Sequence, residues 1–134
     1  MTSQPGQLKK HLKPRISLVK ISVEQNHFPS PEAVRQEIAD QGMHLCEMKF
    51  PAVDNQSHWH RFSTLIYILD GELHIKDSAR AEVLVAGPGS RVSVPERVLH
   101  SERSDGYTIL AGMTVDPASL GGDVDLHPDL LDDD

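Results

Sequence analysis

Two histidines, His58 and His60, stand one residue apart at the start of a largely apolar stretch. Side chains alternate across a β-strand, so both imidazoles would share a face with Phe62, Ile66 and Ile68. An isolated pair of this kind is often only two surface residues. Here the apolar face predicts burial, and a buried imidazole needs a partner. Two imidazoles at alternate positions of one strand can bind one metal ion, so the sequence indicates a metal site.

A third histidine, His100, follows a strand candidate that is bounded by glycine and proline. Together with the first pair it resembles the two motifs of the cupin family, G-x5-H-x-H-x3,4-E-x6-G and G-x5-P-x-G-x2-H-x3-N. The resemblance covers roughly residues 43–115. It implies that the three histidines hold a divalent metal ion, with iron, zinc, nickel and manganese as candidates. The matching positions are His58, His60, Gly71, Gly89, Pro95 and His100.

The glutamate of the first motif is replaced by Thr64, and threonine is a poor metal ligand. Three alternatives follow: the histidines bind the ion alone, a carboxylate comes from elsewhere, or the metal is lost and an organic ligand binds instead. Glu102 is the candidate carboxylate, because it lies two positions after His100 and would point the same way. It could be a fourth ligand, a residue that orients a histidine, or a general base, and we name it as the candidate catalytic residue. Further departures from the motifs are Ala52, Arg97 and Ser104.

The resemblance implies an all-β fold, a double-stranded β-helix or jelly-roll barrel of two antiparallel sheets. The residues favour this class independently, because short β-rich runs alternate with glycine and proline turns. One short N-terminal helix is predicted over residues 30–42, with Ser30 as N-cap and Gly42 as terminator. Asp70-Gly71 lies between two strand candidates and predicts a hairpin. The predicted strands cover residues 16–23, 43–50, 58–69, 72–76, 82–86, 91–94, 98–103 and 107–115.

The charges divide the chain into three segments. Residues 1–15 carry four basic side chains and no acid, which predicts a flexible basic tail. Residues 121–134 carry six aspartates and no base, which predicts a flexible acidic tail. Residues 16–120 form the predicted barrel domain, and the net charge of −7 argues against nucleic-acid binding. No 18-residue apolar stretch and no secretory signal are visible, so we expect no membrane association and a cytoplasmic location.

The other face of the same apolar stretch carries Trp59, Leu65, Tyr67 and Leu69. We expect a homodimer to cover this surface, unless the helix or the N-terminal strand does so. The resemblance does not imply a reaction, because cupins include enzymes, storage proteins and sensors. For function, we expect metal-dependent chemistry on a small organic ligand or substrate, anionic ones included. A non-haem dioxygenase is the first candidate and a lyase or isomerase the next. The alternative is a non-enzymatic domain that binds or senses a small molecule or a metal.

Overall fold

The structure is a computed structural model that describes residues 20–121 and 124–131. The predicted basic tail and residues 16–19 of the first predicted strand lie outside the described residues. No helix within the described ranges is long and apolar enough to cross a lipid bilayer. The elements are β1 (Ser22–Glu24), α1 (Pro31–Asp40), β2 (His44–Phe50), β3 (Val53–Asp54), β4 (Thr64–Gly71), β5 (Leu73–Asp77), β6 (Glu82–Ala86), β7 (Arg91–Val94), β8 (His100–Ser104), β9 (Tyr107–Met113) and the 3-10 helices Pro117–Ser119 and Pro128–Leu130.

The strands form two antiparallel sheets. One sheet has the strand order β1-β7-β4-β9-β2, and the other has the order β3-β8-β5-β6. Side chains from both sheets form one buried core, in which Ile68 and Ile109 of the first sheet join Leu73 and Ile75 of the second. Non-consecutive strands are neighbours in both sheets, as a jelly roll requires. The all-β, double-stranded barrel predicted from the sequence is therefore confirmed, and only the short strand β3 was not predicted.

The crossing at Asp70-Gly71 differs from the predicted hairpin. Strand β4 pairs with β7 and β9, whereas β5 pairs with β6 and β8, so the chain passes from one sheet to the other here. Gly71 has φ +85°, and a Cβ on it would lie 2.3 Å from the carbonyl oxygen of Gly106. Gly71 thus allows the chain to pass close to Gly106 where it crosses between the two sheets. The predicted role was that of a two-residue hairpin turn.

Helix α1 lies where the sequence predicts it. The Ser30 hydroxyl accepts a hydrogen bond from the Ala33 amide (3.2 Å), and Gly42, with φ +68°, follows the helix end. On the buried side of α1, Val34 and Ile38 are each 1% exposed. A helix of ten residues with one such apolar stripe is stable only when it packs on a sheet.

The apolar stripe of α1 covers the outer face of the five-stranded sheet. Val34 and Ile38 pack against Tyr67 and Leu110, with Leu65 and Leu69 partly buried beside them. A homodimer was expected to cover this face unless the helix or the N-terminal strand did so, and α1 covers it. A partner subunit is therefore not needed to cover the face, and the homodimer stays a prediction for light scattering to test.

A polar cluster beneath α1 stabilises the packing of the helix on the sheet. We call it the helix cluster, and it consists of His27, Glu37, Tyr67 and Arg91. The Glu37 carboxylate accepts hydrogen bonds from Tyr67 Oη (2.5 Å), Arg91 Nη1 (2.8 Å) and His27 Nε2 (3.0 Å). Burial alone would raise the pKa of Glu37, but the hydrogen bonds from Tyr67 and His27 and the charges of His27 and Arg91 hold it below its usual value. The Glu37 carboxylate thus accepts from three side chains of the helix cluster, which is typical of a structural network.

Candidate metal centre

His58 and His100 are brought side by side by a short antiparallel pairing. The His58 amide donates to the His100 carbonyl (2.8 Å), and the His100 amide donates to the His58 carbonyl (2.9 Å). Directly paired residues place their side chains on the same face, and the two ring centroids lie 4.4 Å apart. Regular strand β4 begins only at Thr64, so the predicted strand 58–69 is interrupted between the histidine pair and its apolar part.

His60 joins the same cluster from the bend that follows. Its ring centroid lies 5.1 Å from that of His58 and 5.0 Å from that of His100. The ligand atoms of the three imidazoles all lie within 4.8 Å of one another. His58 is 6% exposed and His100 is 1% exposed, so two of the three rings are buried. The structure thus brings together the three histidines that the sequence predicts as metal ligands.

The hydrogen bonds of the three rings fix which nitrogen is available for a ligand. In each ring Nδ1 lies at hydrogen-bond distance from a backbone carbonyl, which can only accept, so Nδ1 carries the proton. The other nitrogen, Nε2, then holds an unshared electron pair, the form in which histidine binds metals. The donor set therefore fits a divalent ion. The acceptors are Gln56 O for His58 (2.8 Å), Val124 O for His60 (3.0 Å) and Val98 O for His100 (2.8 Å).

Burial keeps His100 in its neutral form. Desolvation lowers the pKa of His100 below its usual value, and the neighbouring His58 and His60 lower it further. The hydrogen bond to Val98 and the charge of Glu102 act in the opposite direction but do not outweigh burial. A neutral imidazole is the metal-binding form, so the surroundings of His100 favour metal over proton.

The carboxylate of Glu102 lies at the edge of the histidine cluster. Its Oε1 atom is 3.7 Å from His58 Nε2, and the side chain is only 15% exposed. Asn55 holds it from both sides: the Asn55 amide Nδ2 donates to Glu102 Oε1 (3.0 Å), and Asn55 Oδ1 accepts from the Glu102 backbone amide (2.7 Å). Thr64 lines the neighbouring cavity. The sequence left open that a carboxylate from elsewhere in the chain completes the site. Glu102 is a candidate for this carboxylate, because it lies close to His58.

The C-terminal segment, residues 124–131, belongs to the predicted flexible acidic tail, and in the structure it contacts the barrel at Trp59. Trp59 and Leu126 exchange two backbone hydrogen bonds (3.1 and 2.9 Å), and Trp59 Nε1 donates to the His127 carbonyl (2.9 Å). The buried indole needs both an apolar cover and a hydrogen-bond acceptor, and this segment supplies them. The alternation of apolar Val124 and Leu126 with acidic neighbours is the strand-like signal that the charge count concealed.

A cavity of about 420 Å³ opens beside the histidines. Its walls are mainly apolar, and among the described residues that line it none is lysine or arginine. Burial raises the pKa of the Tyr107 phenol, and the negative charges of Glu102 and Asp125 raise it further, so this hydroxyl stays protonated. The polar lining is Asn55, His60, Thr64, His100, Glu102, Tyr107 and Asp125, and the apolar lining includes Cys46, Met48, Phe50, Phe62, Ile66, Val94, Ile109 and Met113.

Two departures from the second cupin motif are accommodated locally. Arg97 stands at the usual glycine and adopts φ +67°, the left-handed conformation that explains why glycine is favoured there. Its guanidinium lies 5.4 Å from the Trp59 ring centroid. Ser104 stands at the usual asparagine, and its hydroxyl donates to the Glu72 carbonyl (2.6 Å). Neither departure removes a member of the histidine cluster.

Comparisons with known proteins show structural likeness only. No model of a known protein family matches the sequence, and no curated relative matches it. A DUF861 family protein from Thermotoga maritima is 15% identical, with 68% of this chain and 96% of that chain covered and a TM-score of 0.49. The TDP-quinovose 3,4-ketoisomerase of Campylobacter jejuni is 12% identical, with 62% and 68% covered and a TM-score of 0.49. An RmlC-like cupin from Shewanella frigidimarina is 21% identical, with 58% and 73% covered and a TM-score of 0.45.

The chain's own architecture carries the assignment of the fold. Two antiparallel sheets enclose one core, the chain crosses between them at the motif residue Gly71, and the three motif histidines converge inside the barrel. The fold of this chain is therefore a double-stranded antiparallel jelly-roll barrel.

Proposed function

We propose that the protein binds a divalent metal ion through His58, His60 and His100 and acts there on a small organic molecule. The observation that carries this proposal is the convergence of three imidazoles whose ligand atoms lie within 4.8 Å of one another, each in a ring whose Nδ1–H donates to a backbone carbonyl. The reaction class we favour is that of a non-haem metal-dependent dioxygenase, which incorporates molecular oxygen into its substrate. Lyase or isomerase chemistry at the same site is the next candidate.

Iron, zinc, nickel and manganese are all compatible with imidazole ligands, so the donor set alone does not choose among them. A bound ion would supply Lewis acidity and, if it is iron, redox chemistry toward dioxygen. In this site, the chain's own residues provide proton transfer and orientation. Glu102, which lines the cavity, is the proposed proton acceptor and donor, and Asn55 holds its carboxylate in place.

The cavity indicates the kind of molecule that would bind. Its apolar walls suit a hydrocarbon or aromatic body, and its volume of about 420 Å³ suits a small organic molecule. The protonated phenol of Tyr107 can donate a hydrogen bond to an oxygen of that molecule. An anionic group would have to be bound by the metal ion itself, because the described lining offers no lysine or arginine and includes Glu102 and Asp125. We therefore favour a mainly apolar substrate with one oxygen-bearing end.

The experiment combines metal reconstitution with a substrate screen. The metal-free chain is loaded with iron or with zinc, and oxygen uptake is measured with small apolar compounds that carry enol, phenol or ketone oxygens. We expect uptake with iron only. With any compound that reacts, Glu102→Gln should lower the rate about 10²- to 10⁴-fold while metal content is kept. The control Glu72→Gln removes an exposed carboxylate (61% exposed) and should leave the rate unchanged.

A binding or sensing domain is the alternative. In that case compounds would bind with the same affinity with and without metal, and none would be converted under any metal. A cavity that opens beside the histidines favours the enzyme, because a purely structural site closes its coordination positions. The cytoplasmic location stays a prediction that cell fractionation can test.

A further inference from the structure

The C-terminal segment does more than cover Trp59. Two of the three histidines are oriented by carbonyls close by in the chain, since His58 donates to Gln56 and His100 donates to Val98. His60 differs, because its Nδ1–H donates to the carbonyl of Val124, which lies 64 positions away in the sequence. The geometry of His60 therefore depends on whether residues 124–131 are seated on the barrel.

The same segment places a second carboxylate at the cluster. Asp125 Oδ1 lies 3.8 Å from His58 Nε2 and 3.6 Å from His60 Nδ1. These distances are longer than hydrogen bonds, and the side chain is 61% exposed, so a change of its rotamer meets little resistance. Glu102, by contrast, is held by Asn55 and is 15% exposed. Of the two carboxylates, that of Asp125 is the freer to move toward a metal ion bound by the histidines.

We propose that Asp125 supplies the carboxylate ligand that the first motif lacks at Thr64. This inference rests on the proposed metal binding. The ligand would come from the C-terminal segment instead of the strand that carries the histidines. Seating of residues 124–131 and binding of the metal then stabilise each other, since the segment brings both Asp125 and the acceptor for His60.

The attachment of the segment gives this coupling a physical basis. Leu126 donates its amide to the Trp59 carbonyl (2.9 Å), and Trp59, at 0% exposure, lies directly next to His58 and His60 in the chain. A metal ion held by Asp125 would add a further link between the segment and the barrel. Opening of the segment would then require loss of that link, so the amide of Leu126 should exchange more slowly in the metal-bound protein.

The test uses zinc as the probe and the full-length chain without a tag. Zinc affinity is measured by competition with a chromophoric chelator for the wild type, Asp125→Asn and Asp129→Asn. Asp129 is the matched control, because it lies in the same segment and its side chain is 90% exposed. We expect Asp125→Asn to weaken zinc binding by about 10- to 100-fold and Asp129→Asn to change it less than twofold. Asp125→Glu, which keeps a carboxylate, should recover most of the affinity.

Two further measurements separate a ligand from a distant charge. The effect of an exposed charge is screened by salt, whereas loss of a coordinating group is not, so the affinity ratio should persist at 0.5 M sodium chloride. A ratio that falls to about one in high salt would overturn the assignment of Asp125. Hydrogen exchange of peptides covering residues 124–131 should slow with zinc in the wild type, and this slowing should be lost in Asp125→Asn.

The outcomes also distinguish this inference from the proposed function. If the wild type and Asp125→Asn bind zinc equally, the inference is wrong and the three-histidine site stands. If the wild type binds none of iron, zinc, nickel and manganese, both are wrong.

Discussion

Two histidine-containing clusters, one beneath α1 and one inside the barrel, differ in how their polar atoms are used. In the helix cluster, Glu37 accepts hydrogen bonds from Tyr67, Arg91 and His27. Inside the barrel, three imidazoles converge, and the carboxylates of Glu102 and Asp125 lie 3.7 and 3.8 Å from His58 Nε2, beyond hydrogen-bond distance. Converging neutral imidazoles form a donor set that suits a divalent ion, whereas the Glu37 carboxylate already accepts from three side chains. The comparison distinguishes a structural network from a candidate metal site.

The largest expected effect on stability comes from the helix cluster. Glu37→Ala leaves the buried Tyr67 hydroxyl without its acceptor and Arg91 with Glu24 alone, and should cost about 3 kcal/mol of unfolding free energy. This corresponds to a fall of about 10 °C in melting temperature for a domain of this size. The control Glu47→Ala, on an exposed strand position with a 65% exposed side chain, should cost less than about 0.5 kcal/mol. Zinc affinity should be unchanged in both variants, and a loss in Glu37→Ala would mean that the two clusters are coupled.

The helix cluster should also make the unfolding free energy depend on pH in the acidic range. The pKa of Glu37 is held below its usual value of 4.5, so its contribution to stability is present above about pH 4.5 and is lost as the pH falls through the lowered value. Glu37→Gln cannot titrate. Urea unfolding at pH 6, 4.5 and 3 should therefore show the wild type more stable than Glu37→Gln at pH 6, with the gap narrowing toward pH 3. A gap that stays constant would show that the charge of Glu37 is not what stabilises the helix.

The smallest effect is expected at Thr64. It stands where the family motif has a glutamate, yet it lines the cavity with a hydroxyl that is a poor ligand. Thr64→Val keeps the shape of the side chain and should change zinc affinity less than twofold and stability by less than about 1 kcal/mol. Isothermal titration and thermal unfolding of the variant measure both. A tenfold loss of zinc affinity would make Thr64 part of the metal site.

Much of the fold and site could be predicted because local patterns decide them. The Ser30 cap, the alternation through β4 and the spacing of His58, His60 and His100 are readable from neighbouring residues alone. Pairing between distant strands is not, which is why Asp70-Gly71 was predicted as a hairpin when it is a crossing between sheets.

The surroundings of the site were harder to predict for the same reason. Asn55 hydrogen-bonds to Glu102, which lies 47 positions away in the sequence, and the Val124 carbonyl accepts from His60, 64 positions away. The six aspartates near the C-terminus predicted a solvated tail, because charge counts do not show that Leu126 and His127 satisfy the backbone and indole of Trp59. Contacts of this kind depend on tertiary structure that no local pattern encodes.

The central claim is that His58, His60 and His100 form one metal site, and metal stoichiometry tests it most directly. The untagged chain, purified without chelators and dialysed against iron, zinc, nickel or manganese, is analysed by elemental mass spectrometry beside His100→Asn and His74→Asn. His74 is the control, since its Nε2 is bound to Glu72 at 2.9 Å outside the cluster. We predict about one ion per chain for the wild type and His74→Asn and almost none for His100→Asn. Equal metal content in all three proteins, or none in the wild type with any of the four metals, would contradict the claim.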